Sequence, residues 1–319
     1  MSRSVRAHLI LFCVVAVWGS TFVLLKDALR DVSPLLFNLL RMALAFLCLA
    51  VVYRRQWKHI SPAGWKNGAI LGLILGIAYQ FQTSGLNLTT PSNAAFITGL
   101  TLVLVPLLAA LPGVRRRGTK APAWNVWLGV LLAFVGVALL AAPAKAGGGF
   151  LMLPDLGGIG AGDLLTLGCA FAFTCHIVFQ DRVSDKEHGQ QDGPATAASL
   201  QTVPFEQLAL LQLGFCTLVM AASMPLLEKP HLRLTALVVI TLLVEAVLAT
   251  AVAFTVQSWV QQFLAPTYLV LIYALEPVFA WLTSLAFLHQ GLSTRAGCGA
   301  LLILAGVMTA ELIGRKPVK

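Results

Sequence analysis

The chain has 319 residues, 58% of them hydrophobic and 11% charged, with a mean hydropathy of +0.84. A soluble domain carries about 25% charged residues, so this balance excludes an ordinary soluble enzyme, and disorder needs the opposite composition. The formal net charge of +9 does not point to nucleic acid, because the basic residues sit in short clusters between apolar runs rather than along one polar helix. What remains is an all-α polytopic membrane protein. A span takes about 20 residues, which leaves room for ten.

Apolar runs between charged, Pro, Gly or Asn breaks predict helices over 7–26, 34–53, 68–88, 91–111, 124–142, 163–180, 205–226, 234–262, 266–287 and 295–313. Pro91 and Pro266 restart the fourth and ninth, since proline suits a first helical turn. The first run follows Arg3 and Arg6 and continues through Trp18 without an A-x-A site, so it reads as an uncleaved anchor. Six cysteines all lie inside apolar stretches, with no C-x-x-C pair and no zinc-ligand spacing, and read as small core residues. No metal and no cofactor is expected.

Loop Lys and Arg residues set the orientation. With the N-terminus in the cytoplasm, that side holds Arg3 and Arg6; Arg54, Arg55, Lys58 and Lys66; Arg115, Arg116, Arg117 and Lys120; Arg182 and Lys186; and Arg315, Lys316 and Lys319. The opposite side holds only Lys26, Arg30, Lys145, Lys229, Arg233 and Arg295, and Arg41 lies within a span. Both termini are therefore expected in the cytoplasm, in a bacterial inner membrane, after an even number of spans.

The chain also repeats itself. Gly129 to Val137 in the fifth span matches Gly299 to Val307 in the tenth, 170 residues on. Ala78-Tyr79, Gln82 and Pro91 match Ala253-Phe254, Gln257 and Pro266, 175 residues on. Residues 1–143 and 162–313 are expected to be two five-helix repeats joined by 144–161. An odd number of spans per repeat inserts the second upside down, an architecture of secondary transporters with the site at the repeat interface. The polar stretch from Asp181 to Pro204 reads as a long cytoplasmic loop.

These residues resemble a known family. Val17-Trp18-Gly19-Ser20-Thr21-Phe22, Arg41, Asn93 to Leu100, Gly162-Asp163-Leu164-Leu165, Ala274-Leu275-Glu276-Pro277-Val278 and Gly299 to Gly306, in this order, are similar to the drug/metabolite transporter superfamily, in its EamA-type ten-helix branch. The resemblance covers nearly the whole chain. It departs after the ninth span, where the family's usual Gly-Glu pair is replaced by His289-Gln290. The resemblance implies a carrier of small metabolites, often an exporter, that works without ATP and is no enzyme.

Charged groups inside spans cost at least about 2.5–3.5 kcal/mol on insertion scales and are the first candidates for a site. Glu276 and Glu245 both fall about 15 Å deep at 1.5 Å per residue, near the midplane. Arg41 lies nearer the outer third. A carboxylate in a dry surrounding takes up a proton more readily than one in water. Either glutamate could thus serve as a proton site or as a ligand for a substrate amine. Pairing with Arg41 to fix packing is the other reading. Trp18, Gln80, Thr98 and Tyr273 are polar or aromatic at matching depths, and Tyr273 shares a helix face with Glu276. With the charged residues they are expected to line one cavity suited to amino acids or related amphipathic solutes, exposed to one side at a time, with transport coupled to protons. Lipid and a small solute are the expected partners; oligomeric state is left open.

Asp163 and Glu311 read as helix-terminal, and His176 as structural. Gly160-Ala161-Gly162-Asp163 matches the G-x-G-D pattern of intramembrane proteases, but no second aspartate lies within a span to share a proton with it. There is no H-E-x-x-H, P-loop or G-x-S-x-G. The alternative to a carrier is a membrane sensor or assembly protein whose bundle binds a lipid or partner.

Overall fold

The computed structural model describes residues 3–89, 91–115, 120–141, 160–184, 203–288 and 294–312. The connecting segment 144–161, the 181–204 loop and His289-Gln290 fall wholly or largely outside these residues, as do the side chains of Asn87, Asn93 and Glu311.

The helices are α1 (Arg3–Ala28), α2 (Pro34–Val52), α3 (Pro62–Leu88), α4 (Pro91–Thr98), α5 (Thr101–Ala110), α6 (Trp124–Ala141), α7 (Ala161–Val183) and α8 (Phe205–Leu227). Then follow α9 (Ala236–Ala246), α10 (Ala253–Val260), α11 (Pro266–Tyr273), α12 (Glu276–Leu288) and α13 (Thr294–Leu312). Each expected span is present. Three of them are interrupted: α4 and α5 make the fourth, α9 and α10 the eighth, α11 and α12 the ninth. The third begins earlier than its apolar run, at Pro62, because Ser61 caps it by accepting from the Gly64 N–H at 3.0 Å. Among the described residues no strand occurs beyond two isolated bridges. Leucines on the outer surface, such as Leu47, Leu131, Leu226 and Leu301, are exposed. A helix apolar on all faces belongs in hydrocarbon, and there every backbone polar group must be met within the helix.

The spans pack in a pattern that survives exchange of the two halves. α6 lies on α13 and α2 on α8. α3 packs on α7 and α8, as α9–α10 packs on α1 and α2. α1 packs on α12, as α4 and α5 pack on α7. The repeated glycines meet each other at the α6–α13 crossing. A Cβ on Gly129 would stand 2.5 Å from Gly306 O, one on Gly306 2.5 Å from Gly129 O, and one on Gly136 2.5 Å from Gly299 O. Small residues let transmembrane backbones approach closely, which explains why these motifs recur at both positions. Gly136→Val is expected to cost about 1–3 kcal/mol through overpacking and to lower the thermal midpoint of the detergent-solubilised protein. Gly113→Ala, where nothing lies within 4 Å, serves as the control and should leave the midpoint unchanged.

Candidate functional site

Two spans break midway along their length at equivalent places. α4 ends at Thr98, Gly99 and Leu100 turn, and α5 resumes at Thr101. α11 ends at Tyr273, Ala274 and Leu275 turn, and α12 resumes at Glu276. Each boundary in the second half stands 175 residues after its counterpart in the first. The ninth span thus breaks just ahead of Pro277, whose missing N–H cannot continue the ladder. Interrupted helices at depth are tolerated only where protein buries them or water reaches them. Paired interruptions in the two halves of a transporter mark its binding region. Glu276 sits at the N-terminus of α12, where the helix dipole favours negative charge.

The eighth span carries a different irregularity. Val247–Val252 forms a π turn between α9 and α10, a feature frequent at functional sites. Its Ala249 carbonyl accepts from two other spans: from Trp18 Nε1 at 2.7 Å and from Arg41 Nη2 at 3.4 Å. Thr250 Oγ1 accepts from Arg41 Nε and donates to Glu245 O at 2.8 Å. Arg41 Nη1 lies 3.2 Å from Glu245 Oε2, with both side chains buried. The Arg41 guanidinium also faces the Tyr79 ring at 5.5 Å, within cation–π range. Arg41 is therefore satisfied by a carboxylate, a hydroxyl, a carbonyl and an aromatic face, and it ties α2 to the π turn.

Glu276 is placed differently. It falls within the electrostatic reach of both Arg41 and Glu245. The residue is half-buried, and its carboxylate has no hydrogen bond or ion pair among the described residues. Gly19 of the Trp18-Gly19 pair touches the start of α12; a Cβ there would stand 2.6 Å from Glu276 O. Trp18 and Tyr273 meet edge to face at 5.1 Å.

Five of the residues expected at the site thus come together: Arg41, Glu245, Trp18, Tyr273 and Glu276. Gln80 is set apart, donating from Nε2 to Ser223 Oγ at 2.7 Å on α8. Thr98 is half-buried beside the first break. Asp163 is helix-terminal, as expected. It accepts from the Gly160 N–H at 3.0 Å and from Thr89 at 2.5 Å.

A second polar layer had only one signal in the sequence, the repeat of Gln82 at Gln257. Tyr273 Oη donates to Gln257 Oε1 at 2.9 Å, Gln257 Nε2 to Gln180 Oε1 at 3.1 Å, and Gln180 Nε2 to Ser258 Oγ at 2.8 Å. Gln212 Nε2 joins Ser258 Oγ at 3.2 Å, and Gln212 Oε1 lies 2.8 Å from His176 Nε2. All of these groups but Tyr273 are buried. His176 is accordingly one end of a hydrogen-bonded chain joining α7, α8, α10 and α11.

Known proteins share both the sequence and the fold. A curated protein of Archaeoglobus fulgidus, named an uncharacterized transporter, is 31% identical over 313 residues, covering 97% of this chain and 87% of that protein. The uncharacterized transporter YoaV of Bacillus subtilis is 24% identical, covering 95% of this chain and 96% of its own length. YvbV of the same organism, also named an uncharacterized transporter, is 27% identical over 95% of this chain and 90% of its own. A solved crystal structure has the same fold, with a TM-score of 0.73 at 21% identity over 98% of this chain and 99% of that one. The family described as EamA-like transporter matches residues 5–142 and again 193–310. Matched over most of its length and related end to end to proteins named transporters, the chain is a multi-pass membrane transporter and belongs to the EamA-like transporter family.

Proposed function

We propose that the protein is a secondary carrier that exports small amphipathic solutes with a cationic head, and that protons compete for the same carboxylate. The observation that carries this reading is the pair of equivalent helix breaks, with the Glu276 carboxylate at one of them making no hydrogen bond or ion pair among the described residues. The charges support the substrate class. Arg41 is consumed by Glu245, so the charge left to a solute is the negative one of Glu276, with the Trp18 and Tyr273 rings beside it. Amines and amino acids that present their amino group suit that arrangement; polyanions such as nucleotide sugars do not. Two inverted repeats, 1–143 and 162–313, would rock about this site to open it to one side at a time. Export fits the family resemblance of the chain.

The test has two arms. Untargeted metabolite profiling of medium from overexpressing and empty cells names the solute, and counterflow of that radiolabelled solute in proteoliposomes shows carriage. Enrichment of amines or amino acids in the medium is the expected result. Counterflow of a polyanion in preference to them would reject the substrate class. For orientation, reporter fusions after Lys120 and after Lys319 should both report the cytoplasm, following the basic loop clusters, and a periplasmic signal from either would sink the topology.

A further inference from the structure

Both halves of the chain carry the same pair of polar positions, but only one pair is fastened. In the second half, Tyr273 Oη donates to Gln257 Oε1 at 2.9 Å, which ties the last turn of α11, just before its break, to α10. The corresponding residues 175 positions earlier are Thr98, the last residue of α4 before its break, and Gln82 on α3. Both are half-buried, and neither side chain has a hydrogen-bond partner among the described residues. The neighbouring bond does recur. Gln212 Nε2 donates to Ser258 Oγ at 3.2 Å between the second and third spans of the second half, and Asn38 Nδ2 to Thr83 Oγ1 at 2.7 Å between those of the first. The halves therefore share one link and differ in the next.

Inverted repeats reach the alternate state of a carrier largely by rocking one repeat against the other around a fixed site, so a bond made in one half and not in its copy is a candidate for one that differs between the two states. We infer that Gln257 and Gln82 are reciprocal latches. In this state Gln257 fastens α10 to α11; in the alternate state that bond opens, and Gln82 turns onto Thr98 and fastens α3 to α4. Tyr273 connects the latch to the site, because its ring packs against Trp18 while its hydroxyl holds Gln257. A solute settling beside Glu276 presses on the ring whose hydroxyl keeps the latch shut. The inference rests on the alternating-access reading proposed above.

Hydrogen–deuterium exchange of the full-length protein in lipid nanodiscs tests it without a known solute. In wild type, amides of 255–260 should exchange more slowly than those of 80–88. Gln257→Leu should raise exchange at 255–260 and lower it at 80–88, each by about five- to tenfold, the size of one net hydrogen bond. Gln82→Leu should do the reverse, slowing 255–260 further by removing the competing state. Should Gln257→Leu fail to fold, Tyr273→Phe deletes only the hydroxyl and should shift both segments in the same direction as Gln257→Leu. If each variant changes exchange only in its own half, the glutamines are packing residues and the latch is rejected. Reciprocal exchange with no counterflow of any solute keeps the latch and rejects the carrier; counterflow with purely local exchange does the opposite.

Discussion

Glu276→Gln should uncouple transport from the proton gradient while leaving the protein folded. The substitution keeps the size of the side chain and its position at the N-terminus of α12 and removes only the titratable carboxylate that the proposed exchange requires. One coupled proton across one pH unit drives about tenfold accumulation, since a pKa unit is worth 1.36 kcal/mol. In proteoliposomes loaded with the solute named by metabolite profiling, the wild type should reach about that ratio, and the variant should show none. Size-exclusion behaviour and the thermal midpoint should match wild type, because Glu276 has no side-chain partner to lose among the described residues. Accumulation that still follows the pH gradient in the variant would assign Glu276 to packing. Glu245 would be the less apt successor, because it is already held by Arg41.

Much of this arrangement could be read from the residues. The ten spans follow from apolar runs because hydrocarbon permits little else, and Pro91 and Pro266 mark their helix starts where expected. The gathering of Trp18, Arg41, Glu245, Tyr273 and Glu276 follows from depth, since polar groups at the midplane have few places to go but toward one another. The sequence is less informative wherever rotation about a helix axis decides the outcome. Gln80 has the depth of the site residues but turns to Ser223 on α8, and a one-residue difference in facing, about 100° at 3.6 residues per turn, separates it from Tyr79, which does reach Arg41. Depth also left Arg41 with two candidate partners. The choice of Glu245 depends on the π turn, which brings Ala249 and Thr250 to the same guanidinium. No residue of Val247–Val252 announces a π turn: apart from Thr250 the stretch is apolar, and it lacks Gly and Pro. The break in the ninth span was signalled by Pro277, but it falls one turn ahead, at Ala274 and Leu275, because the ring of a proline disturbs the preceding turn rather than its own.

Arg41 and Glu245 should behave as a unit in stability. Each is buried and the pair joins α2 to α9. Removing one partner leaves the other charge uncompensated in a dry interior, a loss of about 3–5 kcal/mol for buried pairs. Arg41→Met and Glu245→Leu should each reduce the yield of monodisperse protein severely and lower its thermal midpoint. The double substitution should recover much of the loss, since replacing both charges by apolar groups of similar volume is often neutral or better. Two features limit the recovery. Thr250 Oγ1 and Ala249 O would lose the Arg41 donors, although the Trp18 indole still serves Ala249 and the Thr250 hydroxyl still donates to the backbone carbonyl of residue 245. The double-mutant cycle therefore isolates the charge pair from its neighbours. A coupling near zero would mean that water or lipid headgroups already screen the two charges. Arg41 would then be free to attract an anionic group of the solute, and Glu276 would no longer be the charge left over among the described residues. A strong coupling keeps Arg41 occupied and leaves Glu276 as the charge that selects what is carried.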